Sequence, residues 1–389
     1  MIDKKYFIKI ISPWMIDELL VYSEKSQFEV ILLQQQEEFN IKEIKKLQSK
    51  NISVLVNPFK YNFLFKKTIF IIRYFIKNLT KFSFDYNAVI GFKSLILFFR
   101  IDLSLFSENS NIHAQFGTQA SILANMIKEY FNNKPAYSFT FHAYDIYFKN
   151  RWFNKLTENS IRAFTISEYN IKYVEDKYMA SNKYSLSRLG VFRDTIKPIE
   201  KEASPIFIFG FMSWFVEKKG IDYLLKAFNE LKESGIDNVR LVLAGDGPLK
   251  DDIVSFIESK HLQKSVDYIG SVGRNEKDEF YNSLDGFILP SVKLEKDQDG
   301  IPVVLMEAIA YGLPIISTDV SGIPEICIND FNGILINERN VNEIVNAIKL
   351  LVNNPSKVTE YGKNSLLLSN DYDIIDNSIK KGKKIGWIN

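Results

Sequence analysis

A single cysteine, Cys327, stands in a chain of 389 residues. That scarcity excludes an intramolecular disulfide and a cysteine-based zinc site, and it suits a reducing compartment, so the sequence reads as cytoplasmic. Histidine is nearly as rare, with three in the chain. No metal-binding cluster is visible, and no obligatory metal ion is expected. An excess of one charge is missing too: 49 basic residues stand against 47 acidic ones, a net +2, too even for wholesale nucleic-acid binding. Long apolar runs are absent. Lys93, Arg100 and Asp102 break the best candidate, which leaves nothing near the roughly 18 uninterrupted apolar residues of a bilayer span. The stretch from Met1 to Leu20 interrupts its apolar run with Lys9, Asp17 and Glu18 and offers no small-residue cleavage site, so it does not read as a secretory signal.

What is present is the balance of a folded soluble protein, 46% hydrophobic and 25% charged, and the length suggests two domains. The second half is the more legible. Phe207–Phe211, Leu241–Ala244, Val266–Ile269, Phe287–Leu289, Ile315–Ser317 and Ile334–Ile336 read as buried strands. Helical patterns over Ile221–Glu233, Leu249–Lys260, Glu276–Leu284, Val303–Tyr311 and Asn342–Val352 alternate with them. Such alternation predicts a parallel sheet covered on both faces, hence an α/β class. The first half repeats the rhythm through Phe7–Ile11, Val30–Leu33, Ile52–Val56, Ala88–Gly91, Ile112–Ala114, Tyr137–His142 and Ala163–Ile166, and predicts a second α/β domain. A polar, proline-marked stretch from Gly190 to Pro205 separates the two. The expected division is 1–195, 196–370, and a helical segment 371–389 that can pack back on the first domain. The lysines of that segment, Lys380, Lys381, Lys383 and Lys384, read as a solvated helix end favoured by the macrodipole.

Ligands in open α/β sheets sit beyond the carboxyl ends of strands, which directs attention to the polar residues that follow each strand. One such cluster runs from Pro290 to Glu325. Asp299 and Gly300 precede a helix whose free N–H groups can face a phosphate or sugar hydroxyl. Glu307 is expected about two turns along it, where a carboxylate accepts hydrogen bonds from paired hydroxyls such as those of a ribose. The bland alternative is an acidic helix start with a solvent-facing glutamate. A second cluster, Phe139 to Asp145, places His142 at a strand end, where it can bond a sugar hydroxyl, with Asp145 orienting a loop or meeting an acceptor; a purely structural histidine is the alternative. A third, Val216 to Gly220, puts Lys219 where a cation can meet a diphosphate, or merely in an exposed loop.

Together these motifs resemble glycosyltransferase family 4, retaining enzymes of the GT-B fold with two Rossmann-like domains and a cleft between them, especially members that build bacterial exopolysaccharides. The likeness is clearest from Phe207 to Ile336 and thinner through His113 to Gly117 and the His142 segment. It implies that Glu307 holds the donor ribose, Asp299 contacts the transferred sugar, Gly300, Ile301 and Val303 meet sugar and diphosphate, Lys219 meets the phosphates, and His142 meets the sugar ring. Gly245, Gly247 and Val272 would shape the nucleotide pocket. Two departures stand out. The family usually has glutamate where this chain has Asp299, one methylene shorter. Its common arginine before the phosphate lysine is replaced by Ser213-Trp214-Phe215; losing a charge-assisted partner costs about 1.5–3 kcal/mol, unless Lys218 or Arg188 substitutes.

The resemblance implies transfer of a hexose from a UDP- or GDP-linked donor, without a cofactor, to a glycan or lipid-linked saccharide in cell-surface polysaccharide biosynthesis. A catalytically weak GT-B-like binding subunit and a nucleotide-sugar epimerase are the rival readings. From Lys60 to Phe84 there are six basic residues, Lys60, Lys66, Lys67, Arg73, Lys77 and Lys81, and no acidic one. That segment can lie on an anionic membrane, or it can be a core-covering helix with a basic outer face.

Overall fold

Short apolar runs separated by helical patterns assemble into two wholly parallel sheets. The structure, a computed structural model, describes residues 5–9, 13–32, 45, 47–50, 52–56, 65–82, 85–147, 149–199, 204–295 and 297–388. Ile11, Leu33, Lys60, Phe84 and Glu200 to Glu202, which carry some of the expectations above, lie outside them. The chain divides into one unit of Met1–Arg188 with Ile374–Asn389, and a second of Leu189–Asp373.

The first unit holds β1 (Lys5–Lys9), β2 (Glu29–Leu32), β3 (Ser53–Val56), β4 (Asn111–Gln115), β5 (Ala136–Thr140), β6 (Arg162–Thr165) and β7 (Tyr184–Leu186). Their order is β3-β2-β1-β4-β5-β6-β7. Tyr6 on β1 lies opposite Glu29 on one side and Ile112 on the other. The second unit holds β8 (Phe207–Trp214), β9 (Val239–Asp246), β10 (Val266–Gly270), β11 (Gly286–Leu289), β12 (Ile315–Thr318) and β13 (Gly333–Ile336), ordered β10-β9-β8-β11-β12-β13. Every residue of β11 and β12 is buried, as expected of parallel strands covered on both faces. Both orders are the doubly wound kind, with the switch point between β1 and β4 in one unit and between β8 and β11 in the other.

Two expectations need correction, and one strand was not expected. Ala88–Gly91 is not a strand but part of the helix Tyr86–Arg100. The Asp85 carboxylate accepts from the N–H groups of Asn87 and Ala88 at its start, and a short apolar run cannot by itself distinguish a strand from a buried helix turn. The three-residue strand β7 was too short and mixed to register as a pattern. Lys381 is not a solvated helix end. It is 3% exposed and lies 2.6 Å from Glu18, which also accepts a 2.6 Å hydrogen bond from Tyr22.

The helix Ile374–Lys384 belongs to the first unit, where it packs on Pro13–Lys25. Trp387 stacks on Phe28 at 5.4 Å and meets Tyr22 edge-on at 5.6 Å. With Ile385, Ile16, Leu19 and Phe164 they form a core under one face of the sheet. A larger cluster around Tyr74, Phe98, Ile112, Phe139 and Trp152 fills the rest of that unit.

Candidate functional site

The loops that leave β8 and β11 are neighbours because those strands flank the switch point of the second unit. After β8 the chain makes a 3-10 turn, Glu217–Lys219, and starts the helix Ile221–Glu233 through Gly220. Gly220 has φ +66, and a Cβ there would stand 1.9 Å from the Pro290 carbonyl oxygen. Only glycine lets the two loops close this far. The Val292 N–H then donates to the Lys218 carbonyl at 2.8 Å.

This contact brings Lys219 and Asp299 together. The Lys219 ammonium donates to both Asp299 oxygens at 2.8 Å, and the Ser291 hydroxyl donates to one of them at 2.8 Å. Lys218 stands 3.7 Å from the same carboxylate and 2.9 Å from Asp297. Burial alone would push the Asp299 carboxyl up; Lys219, Lys218 and the hydrogen bonds outweigh it and hold the group below its usual range. The exposed-loop alternative for Lys219 therefore fails, since its side chain is 15% exposed and paired. No arginine occupies the end of β8, where Trp214 is exposed and Phe215 buried. Lys218 supplies a second cation at this place. Arg188 belongs to the other unit.

Beyond Asp299, half-buried Gly300 and buried Ile301 lead to the helix Val303–Ala310, with Pro302 in extended conformation as its N-cap. Val303 is half-buried. Glu307 lies about one turn into this helix, not two. It does not face solvent freely. Lys277 reaches one oxygen at 2.5 Å and the Tyr281 hydroxyl the other at 2.7 Å. Burial, with Glu307 adjacent, pushes the Tyr281 phenol well up, so it stays protonated as a donor. Lys277 and Tyr281 share the face of the helix Lys277–Ser283 because they are four residues apart.

At the end of β9, Gly245 lies in register with Ser213 and accepts from the Tyr268 hydroxyl at 3.2 Å. Gly247, at φ +147, lies so close that a Cβ would stand 2.6 Å from the Phe215 nitrogen. Val272, half-buried, follows β10.

In the first unit, His142 and Asp145 come together after β5. The His142 N–H donates to Asp145 at 2.8 Å, so the carboxylate closes the turn that presents the ring. The ring meets Phe116 edge-on at 5.1 Å, and Asn150 ties the Gly117 and Asp145 carbonyls at 2.8 and 3.2 Å. His113 is a core residue. It lies between Ser138 and Thr140 at 2.8 and 3.0 Å, and burial, with Lys381 nearby, pushes its pKa well down, so the ring is neutral.

Three residues of the second unit's candidate site, Ser291, Lys277 and Tyr281, were not expected there from the sequence, whereas Lys218 was named as a possible substitute for the missing arginine. The i, i+4 spacing of Lys277 and Tyr281 was a usable signal for a shared partner. Nothing local points that pair at Glu307, which is 30 residues from Lys277.

Residues 192–366 match the family model described as glycosyl transferases group 1. The chain is similar to the putative colanic acid biosynthesis glycosyltransferase WcaL of Escherichia coli (strain K12), 36% identical over 159 residues, which are 40% of this chain and 39% of that protein. It is also similar to the amylovoran biosynthesis glycosyltransferase AmsK of Erwinia amylovora, 30% identical over 41% of this chain and 39% of that one. The chain thus spans about two fifths of the length of these curated relatives. Among solved structures, Anabaena HepE in complex with UDP and glucose superposes with a TM-score of 0.70 at 16% identity, covering 99% of both chains. The two parallel Rossmann-like sheets are those of the GT-B fold, and residues 192–366, which carry the Lys219–Asp299 pair and Glu307, are the part of the chain similar to glycosyl transferases group 1.

Proposed function

We propose that this chain is a retaining glycosyltransferase of family 4 type that moves a hexose from a nucleoside-diphosphate sugar to a glycan or lipid-linked saccharide, in the cytoplasm, during cell-surface polysaccharide biosynthesis. The observation that carries the reading is the pair of half-buried Lys219 and buried Asp299 at the switch point, with Lys218 3.7 Å from the same carboxylate. Two ammonium groups and the first N–H groups of Val303–Ala310 form an anion-seeking corner in a partly water-excluded place, where such charges act most strongly. The relatives' names supply the polysaccharide setting, and the UDP and glucose named with HepE support a nucleotide-sugar donor.

In this reading the diphosphate takes Lys219 and Lys218 as its counter-charges, and no obligatory metal ion or other cofactor takes part. The bond between the anomeric carbon and the diphosphate oxygen breaks, and a bond to the acceptor hydroxyl forms on the same face. The hydroxyl proton leaves with the diphosphate. Asp299, released from Lys219, turns to the sugar hydroxyls, and Glu307 takes the ribose. Gly245, Gly247, Val272, Gly300, Ile301 and Val303 shape the donor pocket. His142, its turn held by Asp145, keeps the sugar-ring role that the resemblance gives it.

The engagement of both oxygens of Asp299 and of Glu307 favours one second reading, a catalytically weak binding subunit. Thermal-shift titration with UDP, GDP, ADP and their sugar conjugates, on wild type beside Lys219→Ala and Glu307→Ala, tests the donor site. We expect one nucleotide to stabilise the wild type and neither variant. Stabilisation by none at millimolar concentration sinks the transferase reading. Binding without sugar transfer to any acceptor selects the binding subunit.

A further inference from the structure

The helix Phe65–Lys77 turns one face to the core of the first unit. Tyr74 and Lys67 are buried there, the Phe70 and Phe98 rings lie 5.0 Å apart, and the Lys67 ammonium donates to the Ile101 carbonyl at 2.7 Å. Burial lowers the Lys67 pKa to about 8, so this lysine is no part of a surface stripe. The opposite face carries Phe65, Ile72 and Ile76 exposed to solvent, Ile76 to 65%. Lys66, Arg73 and Lys77 are exposed beside them. At 100° per residue the apolar side chains fall on one line and these cations on the next.

The pattern continues on the helix Tyr86–Arg100. Val89, Phe92 and Ile96 are exposed at spacings of three and four, with exposed Lys93 among them. The two faces join through aromatic contact: Phe92 lies 5.9 Å from Phe75 and 5.0 Å from Phe82. Leu79, 57% exposed, sits in the 3-10 turn between the helices. Scattered single apolar residues need no explanation, but a contiguous exposed set on two adjacent helices does. From Phe65 to Phe82 the chain has no acidic residue. Asp85, the first one after it, is spent on its helix cap and on Arg151 at 3.0 Å. Among the described residues, Glu129 is held by Lys155 at 2.7 Å, and Lys77 approaches it only at 3.4 Å.

We propose that this two-helix face is a membrane-docking surface, which lays Ile72, Ile76, Leu79, Phe92 and Ile96 into the interface of an anionic bilayer while Lys66, Arg73, Lys77 and Lys93 meet the headgroups. The charge selects the occupant. A second copy docked symmetrically would press this cationic patch against itself, whereas an anionic lipid surface neutralises it. Among the described residues no helix is long and apolar enough to cross a membrane, so the contact is interfacial. The inference does not depend on the chemistry proposed for the second unit.

The full chain is tested by co-sedimentation with vesicles of phosphatidylcholine alone and with about one-third phosphatidylglycerol. Binding to the anionic vesicles only, weakened by salt, is expected. Each neutralised cation should lower partitioning about fivefold, and Arg73→Gln, Lys77→Gln and Lys93→Gln together about a hundredfold. Ile72→Gln, Ile76→Gln and Ile96→Gln together should also release the protein. All these side chains are exposed, so an unchanged melting curve shows that either triple variant is folded. Equal pelleting with neutral and anionic vesicles, or anionic binding that survives both triple variants, overturns the proposal. A concentration-dependent dimer in sedimentation velocity that the isoleucine variant abolishes, without vesicle binding, assigns the face to self-association instead.

Discussion

Asp299 is a buried carboxylate whose ionisation depends on its neighbours, and this makes it a gauge of the site. Its folded pKa lies below the ordinary value of 3.8, so between the two values the unfolded chain binds more protons and stability rises with pH. The contribution is complete above 3.8 and lost as pH falls through the folded value. Asp299→Asn should flatten that acid limb of the stability curve, as measured by urea unfolding across it. Lys219→Met leaves the buried carboxylate with Lys218 and Ser291 alone. It should cost on the order of 3 kcal/mol near neutrality, at the low end for a broken buried pair because Lys218 remains. If both variants unfold like wild type, the pair does not hold the two loops together. Lys219 and Asp299 were each legible as candidate site residues from their place after a strand. Their pairing was not, because 80 residues separate them and a direct partner across a fold leaves no periodic trace.

At the scale of elements, the glycine at the start of Ile221–Glu233 decides how closely the β8 and β11 loops approach. Gly220→Ala combines a left-handed backbone angle, costing about 1–2 kcal/mol for a residue with a Cβ, with a clash against the Pro290 carbonyl. The expected loss is at least about 2 kcal/mol, together with weaker nucleotide binding as Lys219 is displaced. Unfolding and nucleotide titration of the same variant check both. Stability within about 0.5 kcal/mol of wild type would contradict it. The six strands of the second unit were legible because each is an apolar run bounded by turn residues; β11 and β12 are buried throughout, whereas β10 at the sheet edge exposes Asp267 and Ile269, against the expectation of a buried strand. The helix Tyr86–Arg100 was misread in part because Ala88, Val89 and Ile90 form an apolar run of the same kind. What decides there is the Asp85 cap and the packing of Ile90 and Phe98, with Val89 and Phe92 turned outward.

Across the whole molecule, the last helix closes the unit that the first helix opens. Glu18 and Lys381 are 363 residues apart and meet at 2.6 Å with both side chains buried. Removing one partner strands a charge in a low-dielectric place and should cost about 3–5 kcal/mol, whereas removing both costs much less. A double-mutant cycle with Glu18→Gln and Lys381→Met, read by denaturant unfolding of the full chain, should show that non-additivity. Additive losses would mean that the two side chains do not act as a pair. The sequence alone determined what depends on short-range order: the parallel α/β class, two such units, and the motif positions Lys219, Asp299 and Glu307, since strand length, helix spacing and turn residues are local. Only the tertiary structure decided that Lys67 and Lys381 are buried, that Lys277 and Tyr281 hold Glu307, and that Ile72, Ile76 and Ile96 face outward. Burial and pairing belong to the packing between distant segments, and a residue's own neighbours in the chain do not encode them.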